Sequence, residues 1–277
     1  MTLQRAFEYG QEELSKVGIA EAEVDAWLLL EFVTGISRAV YYMDGQRALT
    51  KEQESRYRAC VELRARHIPL QHITGVQEFM GLEFVVNEHV LVPRQDTEIL
   101  VETVLRDLKP GMQVLDMCTG SGCILLSLLK LKKGISGVGV DISEAALAVA
   151  KQNCEKLGVD AKLMQSDLFE KAEGTFDVIV SNPPYIRTAV IEELQEEVKL
   201  HDPMLALDGM EDGLHFYRRI VEESPQYLRE GGKLYFEIGH DQAADVLQLM
   251  KEAGFAEIVV KKDLAGLDRV VFGTYNK

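Results

Sequence analysis

From Gln113 onward, short β-rich runs alternate with stretches long enough for a helix. The runs are QVLDM (113–117), GVGVD (137–141), AKLM (161–164), FDVIVS (176–181) and KLYFEI (233–238). The helical stretches include ILLSLLKLKK (124–133), SEAALAVAKQNCEKLG (143–158) and DQAADVLQLMKEAG (241–254). Parallel strands need long crossovers, usually helices, so this spacing predicts a doubly wound α/β fold with a parallel, Rossmann-like sheet. The last two runs, EIVVKK (257–262) and RVVFGTY (269–275), leave no room for a crossover. They are expected to form an antiparallel hairpin at the sheet edge.

The first 66 residues read as helices. In 20–33, Val24, Trp27 and Leu28 fall at helical spacing, with Leu29 and Leu30 widening the apolar face. Thr50 is placed to cap a helix over 51–67, with Tyr57, Val61 and Leu63 on its inward side. Arg56, Arg58, Arg64 and Arg66 then form a solvated basic face or, alternatively, a docking surface for an acidic partner. Beyond Pro69 the spacing turns to β-type over 79–94, with a turn expected at Asn87-Glu88-His89. The organisation read from this is a small helical recognition domain (1–75), a β-hairpin linker (76–93) and a catalytic sheet domain (94–277).

Charge narrows the partners. Of 30 Lys and Arg against 45 Asp and Glu, residues 1–75 hold 9 and 11, which leaves 21 and 34 beyond them. The net charge of −15 opposes a nucleic-acid partner, whose phosphates call for a basic footprint. No stretch has the run of about 18 apolar residues that a membrane span needs. The opening MTLQRAFEYGQEEL lacks a secretory layout, and Cys60, Cys118, Cys123 and Cys154 form no CxxC pair or metal-ligand spacing. A cytoplasmic protein with reduced thiols and no metal site is expected.

The first strand of the sheet domain runs into Asp116-Met117-Cys118-Thr119-Gly120-Ser121-Gly122. Glycines in a strand-to-helix turn let a ligand approach the backbone. The second strand ends at Asp141, nineteen residues past Gly122, where a carboxylate suits two ribose hydroxyls. This pair alone serves a dinucleotide or S-adenosylmethionine. Asp116 in the turn would repel a pyrophosphate but tolerates a cationic sulfonium ligand, and Cys118 departs from the GxGxxG spacing. Both details favour S-adenosylmethionine. Asp167 and Leu168, after the third strand, are placed to meet an adenine edge and face.

The fourth strand leads straight into Asn182-Pro183-Pro184-Tyr185. In an open α/β sheet the ligand lies beyond the carboxyl ends of the strands, so this tetrapeptide is expected to face the methyl donor. Its two prolines remove N–H donors and leave an acceptor-rich surface. The Asn182 side-chain carbonyl and the Pro183 carbonyl can hold a planar –NH2 by both hydrogens, while the Tyr185 ring packs on a flat amide or base. A purine amine, a cytosine amine and a carboxamide all meet that description.

The turn, Asp141 and the tetrapeptide resemble class I S-adenosylmethionine-dependent amino-methyltransferases. Nearly the whole chain is similar to the HemK/PrmC family, the protein-(glutamine-N5) methyltransferases of peptide-chain release factors. Two further stretches carry that likeness: Leu91-Val92-Pro93-Arg94-Gln95-Asp96-Thr97-Glu98, and Pro203 to Gly209 with Asp212-Gly213-Leu214. The resemblance implies that Cys118 to Gly122 and Asp141 contact the cofactor and that Leu168 lies near it; Asp116, Asp167 and Asn182 stand beside them as candidate cofactor contacts. It implies that Asn182 to Tyr185 receive the glutamine of a Gly-Gly-Gln loop in bacterial class I release factors. Two residues depart from the family pattern. Cys118 stands where a glycine is usual, which is easily tolerated at negative φ, and Gln95 replaces a proline, loosening its loop.

Three other readings share parts of this pattern. A ribosomal-protein glutamine methyltransferase shares every catalytic residue and differs only in recognition. A nucleic-acid adenine-N6 methyltransferase shares the tetrapeptide, but meets the charge and the lack of an extra domain to read a duplex. A non-catalytic sensor of the adenosyl ligand would bind without turnover.

Overall fold

The computed structural model describes residues 1–276, and its contacts divide the chain into two compact units. The first holds residues 1–75 and 195–201; the second holds 76–194 and the chain from 202 onward.

In the helical unit, α1 (Leu3–Lys16), α2 (Ala22–Thr34), α3 (Arg38–Met43), α4 (Lys51–Arg64) and α5 (Leu70–Thr74) enclose a core that includes Leu14, Trp27, Leu30 and Tyr57. At the start of α4, Thr50 accepts the Gln53 N–H and Gln53 accepts the Thr50 N–H, a reciprocal cap. The inward faces differ from expectation. In α2 the buried row is Ala22, Asp25, Ala26, Trp27, Leu29, Leu30 and Val33, while Val24 and Leu28 are exposed. In α4 Leu63 is exposed and Arg64 takes the inward place beside Tyr57 and Val61. A single ion pair explains both shifts, because Arg64 Nε donates to Asp25 at 2.7 Å. Of that basic face only Arg64 is buried, and Arg56, Arg58 and Arg66 stay exposed. Arg58 and Arg66 pair with Glu54 and Glu62, and Arg56 lies over the Phe32 ring.

The second unit opens with a hairpin of β1 (Val76–Phe79) and β2 (Leu82–Val85). Its turn is Met80-Gly81, where both residues have positive φ, as a two-residue hairpin turn demands; the expected turn at Asn87–His89 also forms, with Val90 N–H donating to the Asn87 carbonyl at 3.2 Å, but it joins no pair of strands. Glu98 accepts the Met80 N–H at 2.5 Å, which helps hold a non-glycine residue there. Next come α6 (Gln95–Asp107), β3 (Gln113–Met117), α7 (Cys123–Leu131), β4 (Ser136–Asp141), α8 (Glu144–Leu157), β5 (Lys162–Gln165) and β6 (Phe176–Ser181). Short helices α9 (Thr188–Ile191), α10 (Glu196–His201) and α11 (Met204–Leu207) precede α12 (His215–Tyr227), β7 (Leu228–Glu237), α13 (Ala243–Glu252), β8 (Phe255–Lys262) and β9 (Asp268–Tyr275). Of these, α10 lies in the helical unit. Gln95 is the first residue of α6 rather than part of a loose loop, so its replacement of a proline costs the backbone little.

The seven strands run in the order β5-β4-β3-β6-β7-β9-β8. All neighbours are parallel except β9, which is antiparallel to both β7 and β8 and forms the expected edge hairpin. The chain leaves β3 toward β4 on one side and returns to β6 on the other. The carboxyl ends of β3 and β6 are thus the topological switch point, where such sheets bind their ligands.

Candidate active site

A cleft of about 1110 Å³, part of it open to solvent, lies at that switch point. Its wall includes Cys118 to Ser121, Cys123, Asp141, Asp167, Leu168, Asn182 and Pro184, from the ends of β3, β4, β5 and β6. His89 to Leu91, Arg94, Thr97, Pro203 and Phe216, none of them among the expected cofactor contacts, line it as well.

The turn after β3 is built by its own backbone. Thr119 N–H donates to the Val140 carbonyl at 2.9 Å, and Gly122 N–H to the Thr119 carbonyl at 2.8 Å. Gly120 and Gly122 have φ of 55° and 81°. Cys118 has φ of 60°, so the residue in the glycine position sits in the left-handed region and not at negative φ. That costs an L-residue about 1–2 kcal/mol. Asp116 is fully buried beneath the turn and does not line the cleft. It accepts the Thr119 hydroxyl at 2.6 Å, and burial pushes its carboxyl up to about 7. Its position is that of a support for the turn rather than a wall residue.

Asp141 stands on the cleft wall. One oxygen accepts Gly120 N–H at 2.8 Å and the other Ser143 N–H at 2.9 Å. Each oxygen keeps a second lone pair for a ligand hydroxyl. Burial raises this carboxyl against the pull of those N–H groups. Asp167 pairs with Arg219 at 2.9 Å, and Leu168, at φ 47°, turns with it into the wall.

The tetrapeptide after β6 divides. Asn182 and Pro184 line the cleft; Pro183 and Tyr185 do not. Asn182 Nδ2 donates to Thr97 Oγ1 at 3.4 Å, which commits the amide's donor end and leaves Oδ1 as its free acceptor. The Tyr185 phenol faces Glu237 and Arg269, and burial pushes its ionisation well above the ordinary range. Behind the loop, the Gln242 amide donates to the carbonyls of Tyr185 and Gly213, at 3.0 and 3.1 Å, and its oxygen accepts Gly239 N–H. Ile186 N–H donates to Leu207 and Gly209 N–H to Ile186. A Cβ at Gly213 would come within 2.4 Å of the Tyr185 carbonyl oxygen. The Gly209–Gly213 stretch is thus the brace of the tetrapeptide. Glu237 and Gln242, both buried, carry no local sequence signal for this role; only the packing of β7 and α13 brings them here.

Among the described residues no cluster of three His, Cys, Asp or Glu side chains is arranged to hold a metal, and no helix is long and apolar enough to cross a membrane.

Comparison with known proteins adds names to these two units. Residues 5–75 match the family model described as PrmC N-terminal domain, and residues 94–201 match Methyltransferase small domain. The chain is 42% identical over 273 residues to the Release factor glutamine methyltransferase of Geobacter sulfurreducens, covering 98% of this chain and 96% of that protein. It is 36% identical over 286 residues to the protein of the same name from Bacillus subtilis, covering 100% and 99%. Among solved structures it shares the fold of the Thermus thermophilus 16S rRNA N2 G1207 methyltransferase in complex with AdoMet and guanosine. That match has a TM-score of 0.52 at 20% identity, over 73% of this chain and 50% of that one.

Proposed function

The chain belongs to the release factor glutamine methyltransferases, and from that membership we propose how its cleft does the work. The reaction moves a methyl group from S-adenosylmethionine to the side-chain amide nitrogen of a glutamine in a peptide chain release factor. The cleft residues fit this cofactor. Asp141 has lone pairs left for two ribose hydroxyls, and Val140, Ile142 and Leu168 offer apolar surface to the adenine. On the wall Arg94 is paired with Asp202 at 2.7 Å and Asp167 with Arg219 at 2.9 Å, while Asp141 is held by backbone N–H groups, and that carboxylate suits a cationic ligand better than a pyrophosphate. When bound, S-adenosylmethionine supplies an electrophilic methyl on a sulfonium.

The protein's part is to present the nitrogen. An amide nitrogen is a weak nucleophile because its lone pair is delocalised. Asn182 Oδ1 accepts one of its N–H groups from the cleft wall, and the Pro183 carbonyl, which lies beside that wall and not in it, takes the other as the glutamine enters, which aims the nitrogen at the cofactor side of the cleft. Both bonds strengthen as positive charge develops on nitrogen, so they favour the transition state over the ground state. Proton loss to solvent can follow. The observation that carries this reading is the commitment of Asn182 Nδ2 to Thr97, which leaves an acceptor where an –NH2 must dock.

In this proposal residues 1–75 recognise the release factor, 76–93 link, and 94–277 catalyse. The class I factors and the glutamine of their Gly-Gly-Gln loop are the target. Direct nucleic-acid binding is opposed by the net charge of −15. In this proposal the enzyme works in the reducing cytoplasm, a setting that four free cysteines suit. The test is a methyl-transfer assay with labelled S-adenosylmethionine on a release factor, the same factor with its loop glutamine changed to alanine, and unmodified DNA. Label on the intact factor alone is expected; label on DNA, or none on the factor, would overturn the substrate.

A further inference from the structure

We propose that Glu237 is a positioning residue that sets the orientation of the Asn182 carboxamide by way of Thr97. The inference rests on the reading of Asn182 given above.

The sheet register brings the residues together. Ser181 of β6 is paired with Phe236 of β7, and Asn182 and Glu237 directly follow them. From α6, Thr97 sits beside both. Glu237 is 2% exposed, its Oε2 has no hydrogen-bond partner, and its carboxyl faces the side chains of Thr97 and Asn182. Thr97 is equally buried and receives Asn182 Nδ2.

An ionised carboxylate only accepts hydrogen bonds. Thr97 therefore turns its O–H toward Glu237 and offers its lone pair to Asn182, which must then point its –NH2 inward. The Asn182 oxygen is left for the cleft. Rotating the amide by half a turn exchanges its oxygen and nitrogen with almost no change of shape, and packing alone discriminates poorly between the two. The flipped amide would set –NH2 against the –NH2 of the glutamine. An acceptor-only group behind Asn182 selects the productive state. Protonated, Glu237 becomes a donor and stops discriminating.

Burial pushes the Glu237 carboxyl up to about 7, against the pull of Thr97, Arg269 and Asn182. The charged and titratable groups facing it are Arg269 of β9, Asp96 of α6, Tyr185 after β6, Tyr217 of α12 and Cys123 of α7. Burial pushes both phenols far up and the thiol to about 12, so these three stay neutral near pH 7. Turnover is thus expected to fall as pH drops through about 7, with Glu237 as the group responsible. Asp116, also near 7, lies under the cofactor turn and reads out in cofactor affinity instead.

The experiment measures kcat against pH, with a release factor as substrate, for the native enzyme and for Glu237→Gln, Thr97→Ser, Thr97→Val and Asn182→Ala. S-adenosylmethionine binding is followed by calorimetry. Glu237→Gln is expected to lower kcat by roughly tenfold or more and to flatten the acid limb, with the cofactor Kd within about twofold. Thr97→Val should resemble it, Thr97→Ser should recover most of that loss, and the Thr97→Val/Glu237→Gln double variant should be no slower than either single one. An unchanged acid limb in Glu237→Gln, or native turnover in Thr97→Val, overturns the proposal. If Glu237→Gln fails to fold, the Thr97 pair decides. If Asn182→Ala turns over normally, the reading of Asn182 falls and this inference with it. If Asn182→Ala is inactive while Glu237→Gln and Thr97→Val match the native enzyme, only the inference falls.

Discussion

Buried charge is handled in opposite ways in the two units. In the helical unit Arg64 uses all three guanidinium nitrogens: Nε on Asp25 at 2.7 Å, Nη2 on Glu197 at 2.6 Å and Nη1 on the Ile68 carbonyl at 3.1 Å. In the sheet unit Glu237 and Asp116 are at least as deeply buried, yet each keeps one oxygen without a partner. Burial raises Asp25, Glu237 and Asp116 alike, but at Asp25 the Arg64 guanidinium pulls back with a hydrogen bond and a charge, whereas Glu237 and Asp116 are pushed up to about 7; a paired buried charge holds elements together, and half-satisfied carboxyls concentrate where chemistry is done. The first arrangement serves the fold. The second is tolerated by the fold because it serves the cleft.

The comparison breaks most directly at Arg64. Arg64→Ala strands Asp25 in the core and should cost about 3–5 kcal/mol of stability. Trp27, the single tryptophan, lies in the same core and reports urea unfolding of this unit by its fluorescence. A loss below about 1 kcal/mol would make the triad no better than a surface pair. In the sheet unit the large effects should fall on function. Asn182→Ala should lower kcat about 10²–10³-fold with cofactor affinity nearly intact. Asp141→Ala should do the reverse, raising the S-adenosylmethionine Kd about tenfold or more, as loss of hydrogen bonds to a charged group does. Equal losses of turnover and affinity in both variants would erase the division of labour.

Protonation gives a finer test. Glu237 and Asp116, both near 7 when folded, have unfolded values in the ordinary carboxylate range. Between those limits the native state holds more protons than the unfolded state, so stability falls as pH rises. The pairs that lower a carboxyl, as Arg218 does for Asp212 at about 2, act only at far lower pH. The urea midpoint is therefore expected to be higher at about pH 5.5 than at about pH 8, and Glu237→Gln should shrink that difference. A Glu237→Gln enzyme that is slower yet more stable at the higher pH would mark the carboxyl as functional rather than structural. A midpoint that rises with pH across this range would contradict the assignment.

What was legible in the sequence follows from range. Strands buried between helices read as short apolar runs closed by turns, so β3, β4, β6 and the edge hairpin stand within a residue or two of expectation. The turn after β3 and the tetrapeptide after β6 were legible because their chemistry is local. Long-range partners left no such mark. Asp25 and Arg64 look like surface residues until they meet, and that meeting rotates α2 and α4 away from the faces their leucines suggest. The hairpin turn at Met80-Gly81 lacks an Asn or Asp signal, and its positive φ at Met80 is supported by Glu98, eighteen residues on. Glu237 reads as an ordinary residue near the end of the 233–238 run; only the β6–β7 register and the docking of α6 make it a neighbour of Asn182.

Cys118 sharpens the contrast at the smallest scale, where the cleft holds backbone strain as well as half-satisfied charge. At φ 60° it carries a side chain in a conformation that a glycine adopts freely. Relief of about 1–2 kcal/mol of strain in Cys118→Gly is offset by the greater freedom glycine has in the unfolded chain, about 0.5–1 kcal/mol, and by the lost packing of the thiol on the sheet core. The terms nearly cancel, so stability should change by less than about 1 kcal/mol, and the S-adenosylmethionine Kd by less than about threefold. Measured by urea unfolding and calorimetry, that result would show the thiol to be a tolerated substitute for hydrogen. A collapse of cofactor affinity with stability unchanged would instead give the Cys118 side chain a direct part in binding, and would move one more structural compromise of the sheet unit into the column of function.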